Sequence, residues 1–109
     1  MRFAPHGTEG YLDALPGIQR KTLVWGEKTL MTEFLLSAGS ALPSHNHPHE
    51  QSGYLVKGHM TLTIGEDSFD VIPGDSWSIP SSVDHSALIH EDSVAIEVFS
   101  PVREDYLPG

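Results

Sequence analysis

Three histidines and a carboxamide fall within the seven positions His45-Asn-His47-Pro-His49-Glu-Gln51, in a chain with only seven histidines. In an extended segment residues two apart project from one face, which sets the His45 and His47 imidazoles side by side. Gln51, four positions beyond His47, returns to that face. Two imidazoles and an amide oxygen make a divalent-metal half-site that lacks one further ligand. His85, in Pro80-Ser-Ser-Val-Asp-His85, is the best candidate to complete it, because it opens a strand after a rigid corner. With the 45–51 and 85–90 segments side by side, His45, His47, Gln51 and His85 would surround one ion. Nickel, zinc, iron and manganese all suit such a donor set, so residue types leave the metal open. His49 is expected to point away from the ion, and His6, His59 and His90 to be solvated.

The elements that position these groups follow from turn residues and alternation. Ten glycines and eight prolines punctuate 109 residues, a density that predicts one all-β domain of short strands, a sandwich or barrel. Residues 1–19 read as an irregular arm that Tyr11, Leu12 and Leu15 could anchor, 20–100 as the barrel, and 101–109 as a wrapping tail ordered by Tyr106 and Leu107. Alternation predicts strands at Arg20–Trp25 and Leu30–Ser37, and Gly39–Pro43 reads as a breaker leading into the histidines. Gly58 reads as a turn between strands Gln51–Lys57 and His59–Ile64. Further strands are expected at Phe69–Ile72, Ser76–Ile79, His85–His90 and Val94–Ser100.

Composition excludes some functions. A formal charge of −9 argues against nucleic acid, which needs clustered lysine and arginine. The absence of cysteine removes disulfides and thiolate metal sites. No apolar run approaches membrane-spanning length, and Met1-Arg-Phe-Ala-Pro lacks a signal-peptide hydrophobic region, so a cytoplasmic protein without membrane contact is expected. Only six basic residues are present, which draws attention to Arg20, Lys57 and Arg103 as cations that could face a pocket.

Two motifs carry a family resemblance. Gly39, His45, His47 and Gly58 fit the first cupin motif, G-x5-H-x-H-x3-E-x6-G, with Gln51 at its glutamate. Gly74, Pro80 and His85 fit the second, G-x5-P-x-G-x2-H, with Ser82 in place of its last glycine. The chain resembles a small single-domain cupin, which implies an antiparallel β-barrel. The stretches His45–Tyr54, Pro73–Ser76 and Val98–Leu107 look like the KdgF group of cupins. That likeness implies conversion of 4,5-unsaturated monouronates, released by pectin or alginate lyases, into a linear keto form. It also implies a three-His, one-Gln metal site at His45, His47, Gln51 and His85, a small anionic sugar as partner, and a homodimer paired through its sheets. The group's ending, D-V-F-S-P-P-R, contributes an Asp, a Phe and an Arg to the pocket. Phe99 and Arg103 match, Glu97 stands at the Asp, and Val102 replaces the second Pro.

Physical chemistry gives these residues roles. A neutral Gln51 ligand leaves the full charge on the ion, which favours an anionic substrate and Lewis-acid chemistry. Arg103 could hold a carboxylate in bidentate fashion, or merely pair with its acidic neighbours on the surface. Alternation puts Ala95, Glu97 and Phe99 on one face. If that face is the lumen, Glu97 is an acid/base beside the metal and Phe99 stacks on the sugar; otherwise Glu97 is a solvated charge. Gln51 could be structural rather than a ligand. Tyr54 is a substrate-contact candidate, although a Tyr or Trp such as Tyr54 or Trp77 more often serves a core or interface. Two other functions fit the same residues: an iron-dependent, quercetinase-like dioxygenase, and a non-catalytic sugar-binding metal cupin.

Overall fold

Period-two alternation builds the two longest elements. In the computed structural model, which describes residues 2–108, the chain forms β1 (Leu12–Leu15), β2 (Ile18–Trp25), β3 (Leu30–Leu36), β4 (Ala41–His45), β5 (Glu50–Ile64), β6 (Asp67–Val71), β7 (Ser76–Ile79) and β8 (His85–Ser100), then a 3-10 turn over Glu104–Tyr106. Every strand pairing is antiparallel. Along β8 the odd-numbered residues from His85 to Ile89 and from Ser93 to Phe99 are buried, while their even-numbered neighbours are partly or fully exposed. His85 and Glu97 therefore share the inner face although they lie twelve positions apart.

Sheet order explains why that face encloses a site. Up to Glu91, β8 pairs with β4 and the distal half of β5; from Ser93 it pairs with β3 and, from Val94, with the proximal half of β5. The order β1-β2-β3-β8-β5-β6, with β4 also on β8 and β7 also on β5, bends into two facing halves. Their inner sides meet over Leu55, Met60, Leu62, Ile89 and Ala95. A fully buried leucine such as Leu55, 0% exposed, contributes about 2 kcal/mol by leaving water. The all-β expectation holds, but the barrel does not close: β1 pairs only with β2 and β6 only with β5, so both remain edges.

Three local expectations need correction. Gly58 is no turn between two strands; β5 runs through it, with register shifts from Leu55 to Met60. The shifts move the inward set from Gln51, Gly53 and Leu55 to Met60 and Leu62, odd to even, as an inserted residue must. Gly58 takes φ +104 and lies against Ser93, at the bend where β8 changes partners. Residues 85–100 likewise form one strand rather than two. Gly39–Pro43 is not simply a breaker, since β4 begins at Ala41.

The N-terminal segment is more ordered than its turn residues suggested. β1 forms within it, and Gly17 at φ +77 makes the turn into β2. Leu12 and Leu15 do not anchor it, being 56% and 39% exposed. Polar contacts do: the Tyr11 hydroxyl bonds the Glu33 carboxylate, and Lys21 Nζ donates to the Gly7 carbonyl at 3.0 Å. At the other end Tyr106 docks on Phe34 and Phe99, and the Thr22 hydroxyl donates to its carbonyl. Among the described residues no helix is long and apolar enough to cross a membrane.

Candidate metal centre

The four predicted ligands arrive on three strands and the link between two of them. His45 ends β4 and His85 opens β8, and the register sets them directly opposite one another. Opposed side chains on neighbouring strands sit close enough to touch, and these two rings have centroids 4.1 Å apart. His47 lies beyond β4, in the link to β5, so its approach is fixed by loop contacts rather than by strand alternation. Ser82 N–H donates to the His47 carbonyl at 2.8 Å, Asn46 Nδ2 to Asp84 Oδ1 at 2.7 Å, and Ser81 Oγ to the Pro48 carbonyl at 2.6 Å. These bonds lace the His45–His47 segment to the corner that precedes His85. Ser82 has φ +63, the left-handed conformation that explains why the second motif carries glycine at this position. A side chain held there costs about 1–2 kcal/mol.

Hydrogen bonds fix which imidazole nitrogen is free. Each Nδ1 faces a backbone carbonyl: His45 that of Pro43 at 2.9 Å, His47 that of His49 at 3.0 Å, and His85 that of Val83 at 2.9 Å. A carbonyl only accepts, so Nδ1 carries the proton and Nε2 presents a lone pair. Ligand atoms of the three histidines lie within 4.8 Å of one another. His47 Nε2, His85 Nε2 and Gln51 Oε1 are buried without a hydrogen-bond partner. Such atoms each cost about 1–3 kcal/mol when nothing binds them. Burial, with Arg103 assisting, holds the pKa of His47 below its usual value, and burial does the same at His85. Both rings therefore stay neutral and able to ligate. The donor set fits a divalent transition metal held by His45, His47, His85 and Gln51.

Glu97 lies beside this set, not in solvent. It is 7% exposed, and its two oxygens accept separate donors: Gln51 Nε2 on Oε2 and Trp77 Nε1 on Oε1, both at 3.0 Å. Burial pushes its pKa up to about 7, against the pull of those two bonds. In the unfolded chain the carboxyl has its ordinary 4.5. Between these values the folded protein keeps a proton that the unfolded chain releases. The associated stability is complete below pH 4.5 and is lost as the pH rises to about 7, by about 3 kcal/mol in all. Buried His47 and His85 act in the opposite sense at mildly acidic pH, so the comparison needs a variant. Urea unfolding of metal-free protein at pH 4.5 and 7.5 is expected to give a stability difference that shifts by this amount in Glu97→Gln. An unchanged pH dependence would contradict a carboxyl that titrates near neutrality.

The remaining predicted residues divide between the cavity and the surface. Phe99, 1% exposed, meets the His47 ring edge-on at 5.7 Å between centroids. Arg103 lies 4.9 Å from the Phe99 ring centre and 3.9 Å from that of Tyr106, and both aromatic rings line the same cavity as His45, Gln51 and Glu97. Its guanidinium fork is engaged by Asp105, with Nη2–Oδ2 at 2.8 Å and Nε–Oδ1 at 3.3 Å, which lowers the Asp105 pKa. Arg20 stacks on Tyr106 from 3.9 Å. Tyr54 is a correction: alternation turns it away from Gln51 and Gly53, and it stands 49% exposed on the outer face. Lys57 is exposed at the bend of β5. His59 and His90 lie outside as well, bonded to Asp70 and Thr61. Trp77 is the residue that sequence reasoning undervalued. It packs on the core as expected, yet its N–H ends at Glu97.

Comparison with known proteins agrees with this geometry. The cupin domain family matches residues 32–100, a span that includes both metal motifs. The chain is a cupin. This cupin is 29% identical over 93 residues to the pectin degradation protein KdgF of Dickeya dadantii (strain 3937), covering 84% of each chain. Its structure matches that of KdgF from Halomonas sp. with TM-score 0.92 at 30% identity, over 98% of this chain and 99% of the other. An RmlC-like cupin from Shewanella frigidimarina NCIMB 400 matches with TM-score 0.91 at 26% identity, over 98% and 97%.

Proposed function

We propose that this cupin is a metal-dependent enzyme that converts 4,5-unsaturated monouronates into their linear keto form. The observation that carries the proposal is Glu97: a buried carboxyl poised near neutrality, bonded to the amide of Gln51 beside three converging histidines. Likeness to two KdgF proteins, one of them named for pectin degradation, supports a sugar acid of that origin as substrate. The reaction moves one proton. The hemiacetal hydroxyl on C1 gives up its proton, the C1–ring oxygen bond breaks as the aldehyde forms, and the oxygen left on C5 becomes a ketone as C4 gains a proton. A group with pKa near the working pH suits both transfers, and Glu97 is assigned to them. When bound, the divalent ion would supply Lewis acidity to the sugar oxygens. Arg103 is assigned to the substrate carboxylate, which would exchange for Asp105 in the same fork. Phe99 walls the cavity and excludes water from the reacting carbons.

The proposal extends to a cytoplasmic homodimer paired through the outer face, where Met31, Tyr54 and Val56 are 36%, 49% and 48% exposed. Loss of the conjugated C4=C5 absorbance tests the activity, using lyase-generated unsaturated galacturonate and guluronate with purified protein. Acceleration over the spontaneous rate that a chelator abolishes is the expected result. No acceleration with metal demonstrably bound would remove the uronate assignment and leave the metal site standing.

A further inference from the structure

We propose that Trp77 is a positioning residue for the metal centre, which acts through Glu97 to hold the Gln51 amide with its oxygen toward the histidines, and that Gly53 is the gap through which its indole reaches. The role concerns metal binding and is independent of the uronate activity.

The Gln51 ligand is ambiguous by itself. A glutamine amide presents either oxygen or NH2 to a site, and only the oxygen can ligate. Nothing on the Gln51 side chain itself chooses. The choice comes from Glu97, whose Oε2 takes the amide NH2 at 3.0 Å and leaves Oε1 buried and without a protein partner. Glu97 has three side-chain torsions of its own and needs a second restraint. Trp77 Nε1, a donor only, supplies it at 3.0 Å on the other oxygen.

Strand register shows that this contact is built into the sheet. Gly53 in β5 is paired with Trp77 of β7 on one side and with Glu97 of β8 on the other. Trp77 and Glu97 are thus two strand spacings apart, about 10 Å. Their side chains meet only by crossing above residue 53. A Cβ there would fall 2.2 Å from both Cε2 and Nε1 of the indole, so any residue larger than glycine closes the lane. Gly53 is also two positions from Gln51 on the same inward face, which brings the ligand to the same row.

Trp77→Phe keeps an aromatic ring, smaller than the indole, and removes the donor. Cobalt(II) or zinc affinity, measured by chelator competition, is expected to fall about 10- to 100-fold, the range for groups that orient a metal ligand. The cobalt absorption spectrum should change as the amide loses its fixed orientation. Gly53→Ala should give a similar loss by displacing the indole, and the double variant should lose little more than either single one. Trp25→Phe is the control and should bind normally. A wild-type measurement guards against misfolded variants: with 15N-labelled tryptophan, the Trp77 indole N–H resonance should shift on adding zinc while that of Trp25 holds. Wild-type affinity and spectrum in a folded Trp77→Phe, or a Trp77 resonance indifferent to zinc, would overturn the proposal.

Discussion

Replacing His85 with alanine is expected to leave a folded protein that gains little stability from a divalent metal. His85 is 3% exposed, and its Nε2 is one of the buried atoms without a partner. Removing the ring sacrifices packing but also removes an unsatisfied polar atom, and the two effects oppose one another in metal-free protein. In the presence of metal they are not balanced. An ion that binds only the folded state adds about 2.7 kcal/mol at one hundred times its dissociation constant. For a domain of this size each kcal/mol moves the melting temperature by about 4–8 °C, so wild type should gain upward of ~10 °C. Loss of one ligand of four should weaken binding at least ~100-fold, beyond the upper end for a group that only orients a ligand. At the same metal concentration the variant then keeps only about 0.4 kcal/mol. Thermal unfolding of both proteins, with chelator and with zinc, measures the difference. An equal zinc-induced shift in His85→Ala would place the metal elsewhere.

Gly58→Ala is expected to be the most damaging single-methyl change in the sheet. At φ +104 an L-residue is strained, and strain of this kind costs about 1–3 kcal/mol. The new Cβ would also lie 2.0 Å from Ser93 Oγ and 2.6 Å from Ser93 Cα. Ser93 cannot simply turn aside. It is 3% exposed, its Oγ accepts the His59 N–H at 3.1 Å, and it donates to the Glu91 carbonyl at 2.7 Å. Forcing β5 and β8 apart at their bend adds an overpacking cost of about 1–3 kcal/mol. The sum, roughly 2–6 kcal/mol, is a large share of the 5–15 kcal/mol that holds a typical domain. Urea unfolding of metal-free protein should show it as a lowered midpoint. A loss below about 1 kcal/mol would mean that the bend relaxes, and that the alanine finds room the geometry denies it.

Local rules carried the sequence a long way toward the site. The spacing of His45, His47 and Gln51, and the corner before His85, were enough to name four residues whose donor atoms the structure buries or brings together. Parity was enough to place Ala95, Glu97 and Phe99 on one face, because strand side chains alternate whatever the sheet around them. Pairing partners are another matter, since they depend on contacts between segments far apart in the chain. Alternation cannot tell whether Gly58 reverses the strand or bulges it, and only the bulge switches the inward parity of β5 from odd to even. The same limit kept Tyr54 among the substrate contacts, when its place three residues from Gln51 turns it outward. Nothing in the sequence links Trp77, Gly53 and Glu97 to one another; they form a row because β7, β5 and β8 are neighbours. Arg103 was legible both as a cation near the site and as a partner of its acidic neighbours; the folded tail sets it over the Phe99 and Tyr106 rings while its fork holds Asp105. Sequence by itself determined which side chains could bind a metal and which face of each strand they occupy. Tertiary structure decided which strands stand side by side, and hence which of those groups hold one another in place.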